Sequence, residues 1–356
     1  MLPFLLGGKR MKVLAISGGV DSMLLLENYK KEEIVVAHVN HGYREESKKE
    51  YEMVKRTCEK LRIPFEGIEL NLKDRREHHA RERRYQFFEE VLKKYNSKEL
   101  VLGHHADDLL ETFIMNVGRK GEGTALIGMS EESEDVMGKG YKIIRPLLKM
   151  TKKEIYEEAN KKGIEWMEDQ SNYSDKDYLR NKVRLNIVPI LKEYFPQITE
   201  SVYQITKENK EKEKIVDELL NKEISEIKKA ENVYIINKKE FEEKTDYIKK
   251  KIIKKVIKKI TKEKTKNNIY LDLMEKINAK ELNTDFQKIK KGVWLVNDRN
   301  KFYLLGEEIK KQLEEETEEY KKTKKREMKN KKIPKAFRKS IMRTENCIED
   351  IFGNKY

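Results

Sequence analysis

The chain has 356 residues, which at roughly 150 residues per domain predicts about two domains, and its 78 Lys and Arg against 64 Asp and Glu give a formal net charge of +14. That charge suits a nucleic-acid partner or a solvated helix surface in which lysines alternate with glutamates, as in residues 210–214. The sequence has no apolar run of the roughly 18–20 residues of a membrane span, its first six residues are too short for a signal peptide, and Cys58 and Cys347 form no disulfide framework, so we expect a soluble cytoplasmic protein.

The first 150 residues alternate short apolar runs with stretches of helical spacing. The runs predicted to be buried strands are residues 12–17, 34–39, 66–70 and 99–103. This alternation predicts an α/β fold, a Rossmann-like parallel sheet with helices on both faces. Because ligands of such sheets bind beyond the carboxyl ends of the strands, the residues that follow each strand are the candidates for a site.

From about Thr151 the pattern is mainly helical, and a long charged helix is predicted at 197–227. A smaller α+β unit follows, with a strand at 233–236, an amphipathic helix at 248–260 and a hairpin formed by 293–296 and 302–305. We therefore divide the chain into four parts. These are residues 1–196, a linker helix at 197–231, a second domain at 232–305, and a charged C-terminal segment at 306–356.

The sharpest local signal directly follows the first predicted strand and precedes a helix. It is the run Ser17, Gly18, Gly19, Val20, Asp21 and Ser22. Glycines bring bare backbone N–H groups close to a phosphate, and the helix points its N-terminal donors at the anion. The carboxylate in the run suits a phosphate only if a cation intervenes, which predicts Mg²⁺. A plain strand-to-helix turn is the alternative, but the context favours nucleotide binding. The lysine of a Walker loop is absent.

Acidic residues follow the fourth predicted strand. Asp108 and Glu111 are three residues apart and share a helix face, and Asp107 lies four residues before Glu111. They suit an ammonium group or a metal ion, although acids near a helix start are also common because they favour its dipole. His105 is a candidate substrate contact. Zinc is disfavoured, because neither HExxH nor a Cys/His set is present.

Two arginines, Arg180 and Arg184, are four residues apart on one predicted helix face. Their guanidinium groups suit phosphate, either of a nucleotide or of RNA. The alternative is a surface helix on which they pair with Asp175 or Asp177.

The run at 17–22 resembles the PP-loop of ATP pyrophosphatases, which adenylate a substrate and release pyrophosphate. From residue 12 to about 196, further blocks are similar in order and spacing to the tRNA(Ile)-lysidine synthetase family. These blocks are residues 39–44, 80–85, 103–112, 144–148, 166–172 and 180–184. The segment 232–305 resembles the family's substrate-binding domain more weakly, and 331–338 resembles a fragment of its C-terminal tRNA-binding domain.

This resemblance implies a ligase that joins free L-lysine to C2 of the wobble cytidine of the isoleucine tRNA with a CAU anticodon, through an adenylated cytidine. It implies that ATP binds at 17–22 and His41, that Asp21 serves ATP and Mg²⁺, and that Asp107, Asp108, Glu111 and His105 serve lysine and cytidine. The implied tRNA or phosphate contacts are Arg81, Arg84, Arg119, Arg180 and Arg184. The implied catalytic residues are Asp21, Asp108, Glu111 and Arg184.

The sequence departs from the family pattern at two positions. Leu109 stands where the family usually has glutamine, and Lys120 stands where it often has glycine. Another PP-loop tRNA-modifying enzyme, such as a thiolase, and a tRNA-binding homologue with impaired catalysis are the alternatives. Whether the chain forms a homodimer stays open.

Overall fold

The computed structural model describes residues 11–40, 46–70, 77–120, 128–134, 140–168, 179–230, 233–261, 268–278, 287–290, 292–297, 300–308 and 310. The chain divides into two compact units, residues 1–212 and 213–356. The boundary falls inside the helix predicted as a linker, which runs from Ile198 to Glu226. No helix in the described part of the chain is both long enough and apolar enough to span a membrane.

The first unit is built on a six-stranded sheet with helices between most strands. Its elements are β1 (Lys12–Ala15), α1 (Val20–Tyr29), β2 (Ile34–Asn40), α2 (Glu46–Leu61), β3 (Phe65–Glu69), α3 (Glu77–Lys94), β4 (Glu99–Leu102), α4 (Ala106–Lys120), β5 (Glu132–Glu134), β6 (Lys142–Ile144), α5 (Lys152–Lys161), α6 (Leu179–Lys182), a π-helical segment (Val183–Ile187), α7 (Val188–Tyr194) and the first part of α8 (Ile198–Glu226). The strand order is β3-β2-β1-β4-β6-β5. All neighbours pair in parallel except β5 and β6. The predicted Rossmann-like class is confirmed.

Adjacent residues of the central strand serve opposite faces of the sheet, as the period of two requires. Leu14 packs with α1, α2 and α5 through residues such as Leu24, whereas Val13 packs with α3 through residues such as Phe88. Both strand residues are fully buried. The apolar runs of the sequence are therefore continuous because the strands are covered on both faces.

The chain order reverses between β1 and β4. From β1 the connection through α1 leads to β2 on one side, while β4 pairs with the other side of β1. A crevice for ligands is expected at the carboxyl ends of two such strands. The first turn of α1 lies close to the residue that follows β4, because a Cβ added to Gly103 would be 3.4 Å from the backbone of Asp21 and Ser22.

Leu109, which stands where the family usually has glutamine, is fully buried. It belongs to an apolar cluster with Leu148, Val183 and Val188, and a Cβ added to Gly128 would lie 2.9 Å from its Cδ1. Leu109 therefore packs α4 against the α6–α7 segment. Lys120 ends α4, and its side chain lies outside the described residues.

The second unit is an antiparallel sheet covered by helices. Its elements are the rest of α8, β7 (Lys228–Ala230), β8 (Val233–Asn237), α9 (Lys238–Glu242), α10 (Asp246–Thr261), α11 (Asn268–Ile277), β9 (Gln287–Lys290), β10 (Val293–Asn297) and β11 (Lys301–Gly306). The strand order is β7-β8-β11-β10-β9. The predicted strand, amphipathic helix and hairpin are confirmed: Ile252, Ile253, Val256 and Ile257 are buried in the core of this unit. The strands β7 and β9 were not predicted from the sequence.

Candidate functional site

The loop between β1 and α1 is closed by Ser22. Its Oγ accepts hydrogen bonds from the backbone N–H of Ser17 at 3.2 Å and of Gly18 at 3.0 Å, and donates to the carbonyl of Gly19 at 2.9 Å. Gly18 has a φ of +101°, a backbone conformation that residues other than glycine rarely adopt. Gly19 is the N-cap of α1, and Val20 begins the helix. The buried Ser22 therefore fixes the shape of the loop, whereas Ser17 is exposed.

Three carboxylates lie at the start of α4, just beyond β4. Asp107, Asp108 and Glu111 are 7%, 9% and 1% exposed. An unpaired charge at such burial is costly, so each needs a cationic partner or hydrogen-bond donors. The backbone N–H of His105 donates to Asp108 Oδ2 at 3.1 Å, which caps the first turn.

Arg180 and Arg184 neutralise the two acids that share a helix face. Arg180 Nε donates to Glu111 Oε2 at 2.7 Å, and its Nη2 donates to Asp108 Oδ1 at 2.8 Å. Arg184 Nε donates to Glu111 Oε1 at 2.6 Å, and its Nη2 lies 3.4 Å from Asp108 Oδ1. Arg184 belongs to the π-helical segment, a feature often found at functional sites. Both arginines therefore contact the acid pair in this structure.

Two lysines join the remaining carboxylates. Lys152 Nζ donates to both carboxylate oxygens of Asp21, at 2.7 and 2.8 Å, and the backbone N–H of Lys152 donates to Asp107 Oδ2 at 2.7 Å. Lys192 forms an ion pair with Asp107 Oδ1. Four carboxylates and four cations thus form one charge-balanced cluster at the edge of the sheet.

His105 lies among these acids. Its Nε2 is 3.5 Å from Asp108 Oδ2 and 3.8 Å from Asp21 Oδ1, and its Nδ1 is 4.0 Å from Asp107 Oδ2. The residue is 5% exposed, and Nδ1 of its ring has no hydrogen-bond partner within the described residues. The imidazole therefore lies between Asp21, in the first turn of α1, and the acids of α4.

The neighbouring His104 is held by a buried arginine. Arg145 is 6% exposed; its Nε lies 3.3 Å from His104 Nδ1, and its Nη1 donates to the carbonyl of Ser130 and to Ser133 Oγ, both at 2.9 Å. Nδ1 consequently accepts, which leaves the proton of neutral His104 on Nε2.

Burial and charge set the protonation of this pair of neighbours. Burial lowers the pKa of His104 to about 4, an effect that Asp108 opposes and that Arg145, Arg180 and Arg84 reinforce. Burial acts to raise the pKa of the Asp108 carboxyl, but His105, His104, Arg180 and the backbone N–H of His105 hold it well below its usual range. Near neutral pH, His104 is therefore neutral and Asp108 is ionised.

The structure brings most of the predicted site residues to one edge of the sheet. Those brought together are Ser17, Gly18, Gly19, Val20, Asp21, Ser22, His105, Asp107, Asp108, Glu111, Arg180 and Arg184. Arg81 and Arg84 instead pack over the ring of Tyr85, at 5.0 and 6.0 Å from its centroid, and Arg119 is exposed near the end of α4. His41, Asp175 and Asp177 lie outside the described residues.

Three cationic residues of the site, Lys152, Lys192 and the buried Arg145, were not predicted from the sequence. Arg145 stood within a block of the family resemblance, so its type and position carried a signal. The two lysines carried none, because a lysine on a charged helix is usually exposed.

The lysines of α10 also have partners. Lys251 Nζ pairs with Glu213, and Lys255 Nζ contacts Asp217 Oδ1 at 2.9 Å, both of them acids of α8. Lys258 and Lys259 are exposed. The basic face of this helix is therefore partly neutralised within the second unit itself.

Curated relatives match the first part of the chain. A bifunctional protein TilS/HprT of Listeria monocytogenes is 38% identical over 229 residues, which are 60% of this chain and 35% of that protein. The tRNA(Ile)-lysidine synthase of Thermotoga sp. is 36% identical over 54% of this chain and 48% of its own length. That of Bacillus subtilis is 32% identical over 60% and 48%. The chain thus spans about half or less of the curated relatives it matches.

Among solved structures, the U34-tRNA thiolase NcsA of Methanococcus maripaludis is 19% identical, with a TM-score of 0.46 over 56% of this chain and 71% of that chain. A likeness at this level favours no activity. The family model described as the PP-loop domain matches residues 6–191, more than half of the chain. Its range includes β1 to β6 and every residue of the charge-balanced cluster except Lys192. The chain belongs to the PP-loop family.

Proposed function

We propose that the chain ligates free L-lysine to C2 of the wobble cytidine of a CAU-anticodon isoleucine tRNA, with ATP as the co-substrate. The observation that carries the proposal is the position of the buried pair Asp108 and Glu111 beside the loop at 17–22, in a PP-loop chain whose matched relatives are named tRNA(Ile)-lysidine synthases. That arrangement suits a nucleotide and a cationic substrate at the same crevice.

The reaction has two steps. The cytosine C2 oxygen attacks the α-phosphate of ATP, forming an O–P bond as pyrophosphate leaves. The ε-amine of lysine, after losing a proton from its ammonium form, then attacks C2, and the C2–O bond breaks to release AMP. Adenylation turns a poor oxygen leaving group into a good one, and the amine must be deprotonated to act as the nucleophile.

The loop at 17–22 binds the phosphates of ATP in this proposal. Exposed Ser17 and the N-terminus of α1 supply donors, while Ser22 keeps the loop in shape. A magnesium ion usually takes one or two carboxylates and the substrate's own phosphate oxygens. Asp21 fits that donor set, because its carboxylate lies next to the loop and already binds a cation, the ammonium of Lys152. When bound there, Mg²⁺ would neutralise charge on the leaving pyrophosphate.

Asp108 and Glu111 bind the ammonium of the incoming lysine, with Asp107 and His105 beside them. Low-pKa Asp108 stays ionised and attracts the cation at any physiological pH. The guanidinium groups of Arg180 and Arg184 then exchange carboxylate oxygens for phosphate oxygens of ATP or tRNA, a geometry that suits arginine. Arg81, Arg84 and Arg119 remain proposed tRNA contacts.

The second unit serves tRNA binding in this proposal, with residues 232–305 as its domain. Residues 306–356, in which 331–338 resemble a fragment of the family's C-terminal tRNA-binding domain, lie outside the described residues except for 306–308 and 310. Exposed Lys258 and Lys259 are better placed for a tRNA backbone than Lys251 and Lys255, which pair with α8. Weakening of tRNA binding by salt, reduced when both exposed lysines become glutamate, would support this role.

The thiolase alternative is not favoured by the chemistry of the chain. Burial raises the pKa of the Cys58 thiol to about 12, so it is a poor nucleophile, and its one fellow cysteine is Cys347. A tRNA-binding homologue without catalysis is disfavoured by the complete charge cluster around Asp108.

The test is an assay of the whole chain with transcript tRNA, ATP, magnesium and radiolabelled lysine. We expect AMP, pyrophosphate and labelled tRNA, and we expect Asp108→Asn and Glu111→Gln each to lower lysine incorporation by at least about 100-fold. Glu157→Gln, on the exposed face of α5, is the matched control. Near-wild-type incorporation by both site variants, or wild-type protein that releases pyrophosphate without labelling tRNA, would contradict the proposal. Loss of pyrophosphate release on replacing Ser17 and Gly19 tests the nucleotide loop separately.

A further inference from the structure

The nucleotide loop has no lysine of its own, but the fold places one against it. Lys152 is 131 residues from Asp21 along the chain, and its Nζ contacts both carboxylate oxygens, at 2.7 and 2.8 Å. A lysine that reaches the phosphates is the part of a Walker loop missing from residues 17–22. The tertiary structure thus supplies an ammonium where the local sequence has none.

The base of this lysine is fixed while its tip is accessible. Lys152 is the first residue of α5, next to the N-cap Thr151, which forms a capping box with Glu154. Its backbone N–H is held by Asp107 at 2.7 Å. The side chain is 36% exposed, and its Nζ lies 5.2 Å from the centroid of the Tyr156 ring. Rotation about side-chain bonds can therefore move the ammonium without moving the helix.

Electrostatics gives the reason for such a movement. A triphosphate seated on the loop brings negative charge beside the Asp21 carboxylate, and the two repel unless a cation lies between them. The ammonium of Lys152 already lies against the Asp21 carboxylate, where such a cation would be needed. A lysine ammonium has three donors, so it can contact the carboxylate and phosphate oxygens together.

We propose that Lys152 is a phosphate-binding residue for ATP. Its ammonium pairs with Asp21 in the absence of nucleotide and contacts the triphosphate when ATP binds. The proposal rests on the proposed function, because it requires ATP at residues 17–22. Lys152 would thus act as a point charge on the phosphates, as the lysine of a Walker loop does, although it belongs to α5 and not to the helix that follows the loop.

The test compares neighbouring lysines of α5 by isothermal titration with ATP and MgCl₂ on the whole chain. Lys152→Met is expected to weaken ATP binding about 10- to 100-fold, the loss of one charge-assisted hydrogen bond. Lys153→Met is the matched control, because that side chain is 86% exposed and its Nζ lies 3.9 Å from Glu157 Oε1, a long ion pair. Lys152→Arg should recover most of the affinity, and urea midpoints equal to that of Lys153→Met would show that the variants are folded.

Each outcome decides the point. If Lys152→Met binds magnesium and ATP as tightly as wild type, or more tightly, the lysine only occupies the metal's position and the proposal is overturned. If Lys152→Met is unfolded, Lys152→Gln and Lys152→Arg decide instead, the proposal requiring weak binding by the first and near-normal binding by the second. Wild-type protein that binds no ATP overturns this proposal and the proposed function together. ATP binding that is lost in Ser17 and Gly19 variants but unchanged in Lys152 variants overturns this proposal alone.

Discussion

Glu111 is the residue on which the buried charge cluster depends most. Its side chain is 1% exposed, and it accepts from Arg180 Nε at 2.7 Å and from Arg184 Nε and Nη2 at 2.6 and 3.1 Å. In Glu111→Gln the charge is lost and an NH₂ group faces a guanidinium, so at least one donor loses its partner. Breaking a buried ion pair from one side costs about 3–5 kcal/mol.

Water reduces this cost, because the two arginines are 31% and 30% exposed. We therefore expect Glu111→Gln to lower the free energy of unfolding by about 2–3 kcal/mol. Arg184→Met should cost about half as much, since Glu111 keeps its bonds to Arg180. The double variant should lose less than the sum of the single losses, because both changes remove the same contacts.

The measurement is unfolding in urea, monitored by tryptophan fluorescence. The chain has two tryptophans, Trp166 in the first unit and Trp294 in the second, so a Trp294→Phe background reports on the first unit alone. Glu157→Gln, exposed on α5, is the control and should change stability by less than about 0.5 kcal/mol. A loss in Glu111→Gln no larger than in this control, or smaller than in Arg184→Met, would refute the shared-acid reasoning.

Three further predictions concern single residues. The folded-state pKa of His104 is about 4, below its ordinary 6.5, so the stability that neutral His104 contributes is fully present above pH 6.5 and is lost as the pH falls. Between about pH 7 and about pH 5, the free energy of unfolding in urea should therefore fall by about 2 kcal/mol. This fall should be missing in His104→Asn. Equal pH slopes in both proteins would exclude this. Gly18→Ala, at a φ of +101°, should lower the free energy of unfolding by about 1–3 kcal/mol in the same assay. Gly19→Ala should lower it by less than about 0.5 kcal/mol, because the added Cβ would lie 3.8 Å from Ser17 Oγ. Similar losses in the two variants would contradict the loop geometry. In a Cys347→Ser background, iodoacetamide at about pH 8 should label Cys58 only after denaturation, as mass spectrometry can check, and rapid labelling of native protein would count against its raised pKa.

The sequence by itself determined the α/β class, the strands that carry the site and the loop at 17–22. It did so because the strand runs are apolar, as expected of strands covered on both faces, and because glycines between a strand and a helix allow the tight turn that this loop makes. The three-residue strands β5 and β6 were not predicted, since an edge pairing of that length is selected by its neighbour and not by local propensity.

Only the tertiary structure decided how the charges pair. Lys152 meets Asp21 across 131 residues, and Arg180 meets Asp108 across 72. A lysine or arginine on a polar helix has the same local sequence pattern whether it faces water or a buried acid. Its partner therefore depends on which distant elements the fold packs beside that helix. The burial of Leu109 was likewise decided by packing, because it depends on the α6–α7 segment that the fold brings against α4.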